Sequence, residues 1–264
     1  MNAELNATLV SREDLSPRVF LLRVRPDAAE PTRFEPGQFV QAGLILPTPA
    51  RDGSGGLRPR LQKRSYSLSS VPGDERGLEL CIALVQEGRL TPELARLAPG
   101  ARMWLDPTPL GRFTLEGIPA QRDFVLVATG TGVAPYVSML RAYSARGRWR
   151  KLAIVHGVRE SADLVFRAEL EEAARRDASV RYVPIVSRER PSTRWTGLAG
   201  RVQQVLEPRT LKDLAGIELD PRGTHVLLCG NPAMIDEARA LLEKRGFALD
   251  TPEKLGGLRF ERYW

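Results

Sequence analysis

Two stretches of this 264-residue chain bring together residue types that can hold a phosphorylated ligand. The first is "ATGTGVAP", residues 128–135, which follows an apolar run and opens a helical one. Gly130 and Gly132 let the backbone approach an anion closely, and the N–H groups at a helix start point at it. Pro135 is tolerated there because it falls in the first helical turn. The spacing matches neither G-x-G-x-x-G nor G-x-x-x-x-G-K-[ST], so a tight strand-to-helix turn with no ligand also accounts for it. The second is "KRSYSLSS", residues 63–70, in which strand alternation puts Arg64 and Tyr66 on one face and Ser67 on the other. A cation able to grip phosphate then stands beside an aromatic able to cover a ring. An outward Arg and Tyr on a strand are ordinary, so this stretch says little by itself.

The elements that must carry these residues divide in two. Up to about residue 116, short strand-like runs ("ATLVS", "RVFLLRVR", "GQFVQAGLIL", "RSYSLSS", "GLELCIALV", "ARMWL", "GRFTL") are separated by turn residues, which predicts an antiparallel β-barrel or sandwich. Between two of them "PTPARDGSGGLRPR", residues 47–60, reads as a long loop without chemistry. After residues 117–123 the pattern becomes apolar strand, Gly-rich turn and helix, repeated, which predicts an α/β domain with a parallel sheet. A helix is expected near residues 199–206, and the last helix has Asn231 as N-cap, Pro232 first and Gly246 just beyond its end. The reading is a two-domain chain, residues 1–117 and 118–264.

In this order, and across this β to α/β division, the motifs resemble the ferredoxin–NADP reductase family of flavoproteins, most nearly its short bacterial members, and the resemblance covers nearly the whole chain. The family's R-x-Y-S is present as Arg64-Ser65-Tyr66-Ser67; a strand with a G-x-L-[ST] turn as "CIALVQEGRLTPEL", with Gly88, Leu90 and Thr91; G-x-F as Gly111-Arg112-Phe113; G-T-G-x-A-P as Gly130 to Pro135; and C-G-x-x-x-M as Cys229 to Met234. The resemblance implies an FAD-binding β-barrel domain followed by an NADP-binding domain. FAD is then held by Arg64, Ser65, Tyr66, Ser67, Ile82, Ala83, Leu84, Arg89, Leu90, Thr91 and Thr131. NADP(H) is held by Gly130, Thr131, Gly132, Val133, Gly230, Asn231 and Met234. Ser67, Cys229, Glu261 and Tyr263 are implied to surround the reacting rings, and the tail "RFERYW" to clamp FAD, Tyr263 over the isoalloxazine and Trp264 over the adenine. The implied activity takes hydride from NADPH at flavin N5 and passes electrons singly to an acidic ferredoxin or flavodoxin. The reductase component of an oxygenase system and an NADPH-dependent flavin reductase are alternatives on the same two domains.

Charge favours NADP over NAD, since the 2′-phosphate needs cations where NAD sites commonly place an acidic residue. Arg159 follows the strand "LAIVH", Ser187 and Arg188 end the next, and Arg201 lies in "GLAGR"; these resemble the family's 2′-phosphate positions. The net charge is +7. Residues 1–120 hold 15 Lys and Arg against 14 Asp and Glu, and residues 121–264 hold 24 against 18, so the surplus lies in the second half. That half should attract an anionic partner. The basic residues are dispersed and no nucleic-acid motif accompanies them. Two cysteines, Cys81 and Cys229, are too few for an iron–sulfur cluster. His156 and His225 show no metal spacing and read as structural. With no apolar run near the ~20 residues of a membrane helix and no signal-like start, the expectation is a cytoplasmic monomer that uses neither membrane nor metal.

Overall fold

The computed structural model describes residues 4–28, 30, 32–49, 56–189, 193 and 195–263. Contacts divide the chain into two units, Met1–Thr114 and Leu115–Trp264. The segment after the break belongs to the second unit because Arg148 donates to the carbonyls of Leu115 and Ile118.

The first unit holds β1 (Ala7–Ser16), β2 (Val19–Pro26), β3 (Phe39–Pro49), β4 (Leu57–Ser67), β5 (Leu78–Ala83), a short helix α1 (Thr91–Ala95) and β6 (Arg102–Leu105). β2 shows why these segments are strands: Phe20, Leu22 and Val24 are buried while Leu21, Arg23 and Arg25 are not, the period-two alternation of a half-buried sheet. All pairings are antiparallel, in the order β4-β3-β6-β1-β2-β5. Just past β4, Leu68 bridges Leu80 of β5, so the two ends of the sheet meet and the barrel closes around Leu9, Leu22, Val40, Leu80, Ile82 and Leu105.

Two expectations fail in this unit. "GRFTL" is not a strand: Leu110 makes a single bridge to Phe39, Gly111 has φ +107°, and Phe113 and Thr114 turn inward and are buried. Nor is 47–60 a loop throughout. β3 and β4 pair in unbroken register from Phe39↔Ser67 to Pro49↔Leu57, while β6 reaches β3 only at Ala42 and Gly43. Beyond those residues the hairpin is a two-stranded ribbon with Pro47 facing Pro59, a placement open to proline because among the described residues no further strand pairs with either ribbon edge. Gln62 Nε2 donates to Thr48 Oγ1 across it, at 3.3 Å.

The second unit runs β7 (Arg122–Thr129), a 3-10 turn (Gly130–Val133), α2 (Ala134–Tyr143), β8 (Trp149–Val158), α3 (Arg167–Arg176), β9 (Val180–Val186), β10 (Leu198–Ala199), α4 (Val202–Val205), α5 (Pro208–Ala215), β11 (Thr224–Gly230), α6 (Pro232–Glu243), β12 (Ala248–Leu249) and β13 (Gly257–Arg262). The strands form one parallel sheet, ordered β10-β9-β8-β7-β11-β13-β12. β11 is buried along its whole length and β7 along nearly all of it, as continuous apolar strands covered on both faces should be. The helix expected near 199–206 is the single turn α4, and α5 lies outside every expectation. α6 is capped as its sequence implies, Asn231 Oδ1 accepting from Ala233 N at 2.9 Å and Met234 N at 3.3 Å.

Where β11 begins, a buried polar knot ties down β13. Asp250 accepts from Gly256 N at 2.8 Å, Gly257 N at 3.0 Å, Arg259 Nε at 2.7 Å and His225 Nε2 at 3.1 Å. Burial pushes the Asp250 carboxyl up, but the hydrogen bonds from His225 and Arg259 outweigh it and hold the group well below the usual carboxylate range.

Candidate functional site

In an open parallel sheet, ligands bind beyond the carboxyl ends of the strands, where the strand order reverses. Here that point lies between β7, which continues to β8 on one side, and β11 on the other. The turn Gly130–Val133 leaves β7 there and Gly230 leaves β11. The two approach so closely that a Cβ on Gly132 would lie 2.4 Å from the Cys229 carbonyl oxygen, and one on Gly230 would lie 2.3 Å from Thr129 Oγ1. The same Oγ1 accepts from Asn231 N at 2.9 Å. Gly130 differs: its φ is +55°, and a Cβ there would meet nothing within 4 Å. Glycine serves close packing at 132 and 230, and a left-handed backbone on an open side at 130.

Cys229, Glu261 and Tyr263 gather around this turn. Parallel register sets Glu261 beside Cys229, Tyr263 N donates to Gly230 O at 3.1 Å, and the Tyr263 hydroxyl reaches toward Thr131 O at 3.5 Å. Burial, reinforced by neighbouring Glu261, pushes the Cys229 thiol well above its ordinary range, only partly offset by a hydrogen bond from Tyr263. The group is therefore a buried neutral thiol and not a nucleophile. Met234 is 6% exposed and packs in the hydrophobic core, so its side chain serves the sheet and the backbone of the α6 start is what remains for a ligand. Asn231 spends its side-chain oxygen on the helix cap. Trp264 lies outside the described residues.

The segments that carry Arg159, Ser187, Arg188 and Arg201 lie side by side at one end of the sheet. Ser187 N and Oγ both donate to Val158 O, at 3.0 and 3.1 Å, and Arg188 N donates to Arg159 O at 2.7 Å. Gly200 N donates to Val186 O at 2.8 Å, which brings Arg201 alongside. Arg159, Ser187, Arg188 and Arg201 are all exposed. Arg201 has Glu237 at 4.0 Å, a loose surface pair that leaves its charge available.

On the barrel, Arg64 and Ser65 are exposed, Tyr66 is half-buried and Ser67 is 5% exposed. The Tyr66 hydroxyl is buried with no hydrogen-bond partner among the described residues, and burial raises its pKa. An orphaned buried hydroxyl costs about 1–3 kcal/mol, so a polar ligand group at this place would remove a penalty. Ile82 and Leu90 lie in the barrel core, which leaves only their backbone to touch a ligand. Thr91 Oγ1 accepts from Val85 N at 2.9 Å and donates to Val85 O at 3.2 Å, clipping the turn that carries Arg89. Ala83 and Arg89 are exposed and Leu84 is half-buried.

Sequence reading passed over the support behind the 64–67 motif. Ser69 Oγ donates to Glu79 Oε1 at 2.8 Å, Ser70 Oγ accepts from Glu79 N at 3.1 Å, and Arg23 bridges Glu79 and Asp74. The polar "SS" after the motif was a usable signal, since two serines that end a strand inside a barrel must find partners. His156, expected to be structural, is fully buried with Nε2 2.9 Å from Gly130 O.

A closed antiparallel barrel followed by a parallel sheet with a glycine turn at its switch point defines a two-domain, nucleotide-dependent oxidoreductase. Residues 126–240 match the family model described as oxidoreductase NAD-binding domain. The chain is 38% identical to ferredoxin–NADP reductase B of Sorangium cellulosum over 97% of this chain and 96% of that protein. It is 33% identical to the flavodoxin/ferredoxin–NADP reductase of Escherichia coli over 88% of each. A ferredoxin NADP+ reductase from Neisseria gonorrhoeae with bound FAD and NADP superimposes with a TM-score of 0.81 at 26% identity, covering 97% of both chains. The chain belongs to the ferredoxin–NADP reductase family and is an oxidoreductase.

Proposed function

We propose that this protein is an FAD-dependent oxidoreductase moving electrons between NADPH and a one-electron carrier, a ferredoxin or flavodoxin. The observation that carries this reading is the pairing of an open Gly130 turn at the sheet's switch point with four exposed phosphate-binding residues, three of them arginines, at the neighbouring strand ends. The residues fit both cofactors: an orphaned Tyr66 hydroxyl on the barrel for FAD, and a glycine turn with clustered cations for the nicotinamide nucleotide.

Bound FAD supplies the exchange between the two-electron chemistry of nicotinamide and single-electron transfer. The chain's own groups bind and orient. Arg64 and Arg89 offer charge to a pyrophosphate, Tyr66 offers a ring face and a hydroxyl, and Ser67 offers a hydrogen-bonding group where the strand turns inward. Backbone N–H groups of the Gly130–Val133 turn face the nicotinamide nucleotide's pyrophosphate, and Arg159, Ser187, Arg188 and Arg201 take its 2′-phosphate. Cys229 keeps its proton and lines the ring pocket with Glu261. Tyr263 rests on the turn that the nicotinamide must approach, so the tail has to swing aside during turnover.

No helix among the described residues is long and apolar enough to cross a membrane. The reading places the protein in the cytoplasm as a monomer whose partner presents an acidic face. Purified protein should be yellow, with flavin absorption bands that NADPH bleaches anaerobically. A colourless protein that FAD cannot reconstitute would sink the proposal.

A further inference from the structure

His156 occupies β8 between Ala128 of β7 and Pro184 of β9, and is 0% exposed. Its Nε2 lies 2.9 Å from Gly130 O and its Nδ1 3.2 Å from the Tyr182 hydroxyl. A carbonyl only accepts, so Nε2 carries the ring proton and Nδ1 accepts from Tyr182. Burial pushes the His156 pKa down to about 4, which keeps the imidazole neutral near pH 7.

This chain of two hydrogen bonds ends on the carbonyl of Gly130, the first residue of the 3-10 turn. Gly130 opens the 3-10 turn with φ +55° and open space on its Cβ side, so no side chain of its own holds the 130–131 peptide in place. In a trans peptide the carbonyl and the following N–H point in opposite directions. Drawing Gly130 O down onto a buried imidazole therefore turns Thr131 N–H outward, away from the sheet. The N–H groups that open a helix lack intrahelical acceptors, and Thr131 lies near the start of the 3-10 turn that leads into α2.

We infer that His156, steadied by Tyr182, is a positioning residue: it sets the orientation of the 130–131 peptide and so presents Thr131 N–H to the pyrophosphate of the nicotinamide nucleotide. His156 itself touches no ligand. The inference rests on the NADPH reading above and adds the group that shapes the turn.

The test is calorimetric titration of the flavin-loaded protein with two ligands: NADP+, which spans both the turn and the arginine cluster, and 2′-phospho-AMP, which reaches only the cluster. His156→Leu should weaken NADP+ about tenfold while 2′-phospho-AMP stays within about twofold of the unaltered protein. In His156→Gln the amide nitrogen can renew the bond to Gly130 O, so NADP+ binding should return to within about threefold. Tyr182→Phe keeps the ring and its volume, and should weaken NADP+ about threefold with 2′-phospho-AMP unmoved. Equal losses for both ligands, or Leu and Gln variants weakened alike, would overturn the inference, since a merely space-filling histidine predicts those results. If His156→Leu does not fold, Tyr182→Phe decides, and no selective loss there overturns it. Failure of the unaltered protein to bind either ligand would count against the NADPH reading itself.

Discussion

Arg188 tests the cofactor choice at the scale of one side chain. It is exposed, its backbone is fixed by Arg159, and a charge-assisted contact to a 2′-phosphate contributes roughly 1.5–3 kcal/mol. Steady-state kinetics of Arg188→Ala should therefore show kcat/KM for NADPH falling about 10- to 100-fold with NADH nearly unchanged; equal falls would refute the assignment. The sequence offered this cluster only through resemblance, although residues that follow neighbouring parallel strands do come out at the same end of a sheet. Roles set by direction were not legible there. Ile82, Leu90 and Met234 turn inward to the cores, Thr91 clips its own turn, and Asn231 caps a helix, so what each can give a cofactor is backbone or nothing. Nor could sequence bring together His156 and Gly130, 26 residues apart.

Among the elements, the glycine turn and the last strand matter most. A methyl at residue 132 would press on the backbone of Cys229, which cannot step aside as a flexible side chain would. Gly132→Ala should therefore cost about 1–3 kcal/mol in urea unfolding and weaken NADP+ binding as the turn lifts away from β11. The Asp250 knot works on β13, which carries Glu261 and leads into Tyr263. Asp250→Asn should destabilise the protein by about 3 kcal/mol at pH 7. Because the folded-state pKa is depressed, this stabilisation is present above the unfolded value near 3.9 and fades as pH falls below it. The gap between variant and unaltered protein should therefore stay nearly full above about pH 5 and narrow progressively as pH falls below about 4. Removing Tyr263 and Trp264 should release FAD more readily and tighten NADP+, each by about 2- to 10-fold for a stacking contact of 0.5–1.5 kcal/mol. If equilibrium dialysis finds both unaltered, the aromatics only patch a gap. Periodicity made β2, β7 and β11 legible; the ribbon was hidden because its prolines and the neighbouring glycines are loop signals, although a free-edged hairpin accommodates them. α5 had its own punctuation in Pro208 and Gly216, which closes the helix with φ +65°.

For the molecule as a whole, charge governs the encounter. A surplus of basic residues in the second half should draw an acidic carrier, and the effect is screened once the Debye length shrinks to a few ångströms. Stopped-flow rates of carrier reduction should fall several-fold between about 10 and 300 mM salt, and rates indifferent to salt would exclude steering. The two-unit plan was legible because the change from period-two strands to strand–turn–helix repeats occurs once, near residue 118. The ribbon formed by β3 and β4 bears on how copies of this chain treat one another. Among the described residues neither margin pairs with another strand beyond Ala42 and Gly43, the arrangement from which neighbouring molecules can zip together. Pro47 and Pro59, facing each other with no N–H between them, and Pro49 beyond, remove the donors that such zipping would use. The residues that made this stretch look structureless are therefore also those that let an open hairpin persist in a crowded solution without seeding aggregation.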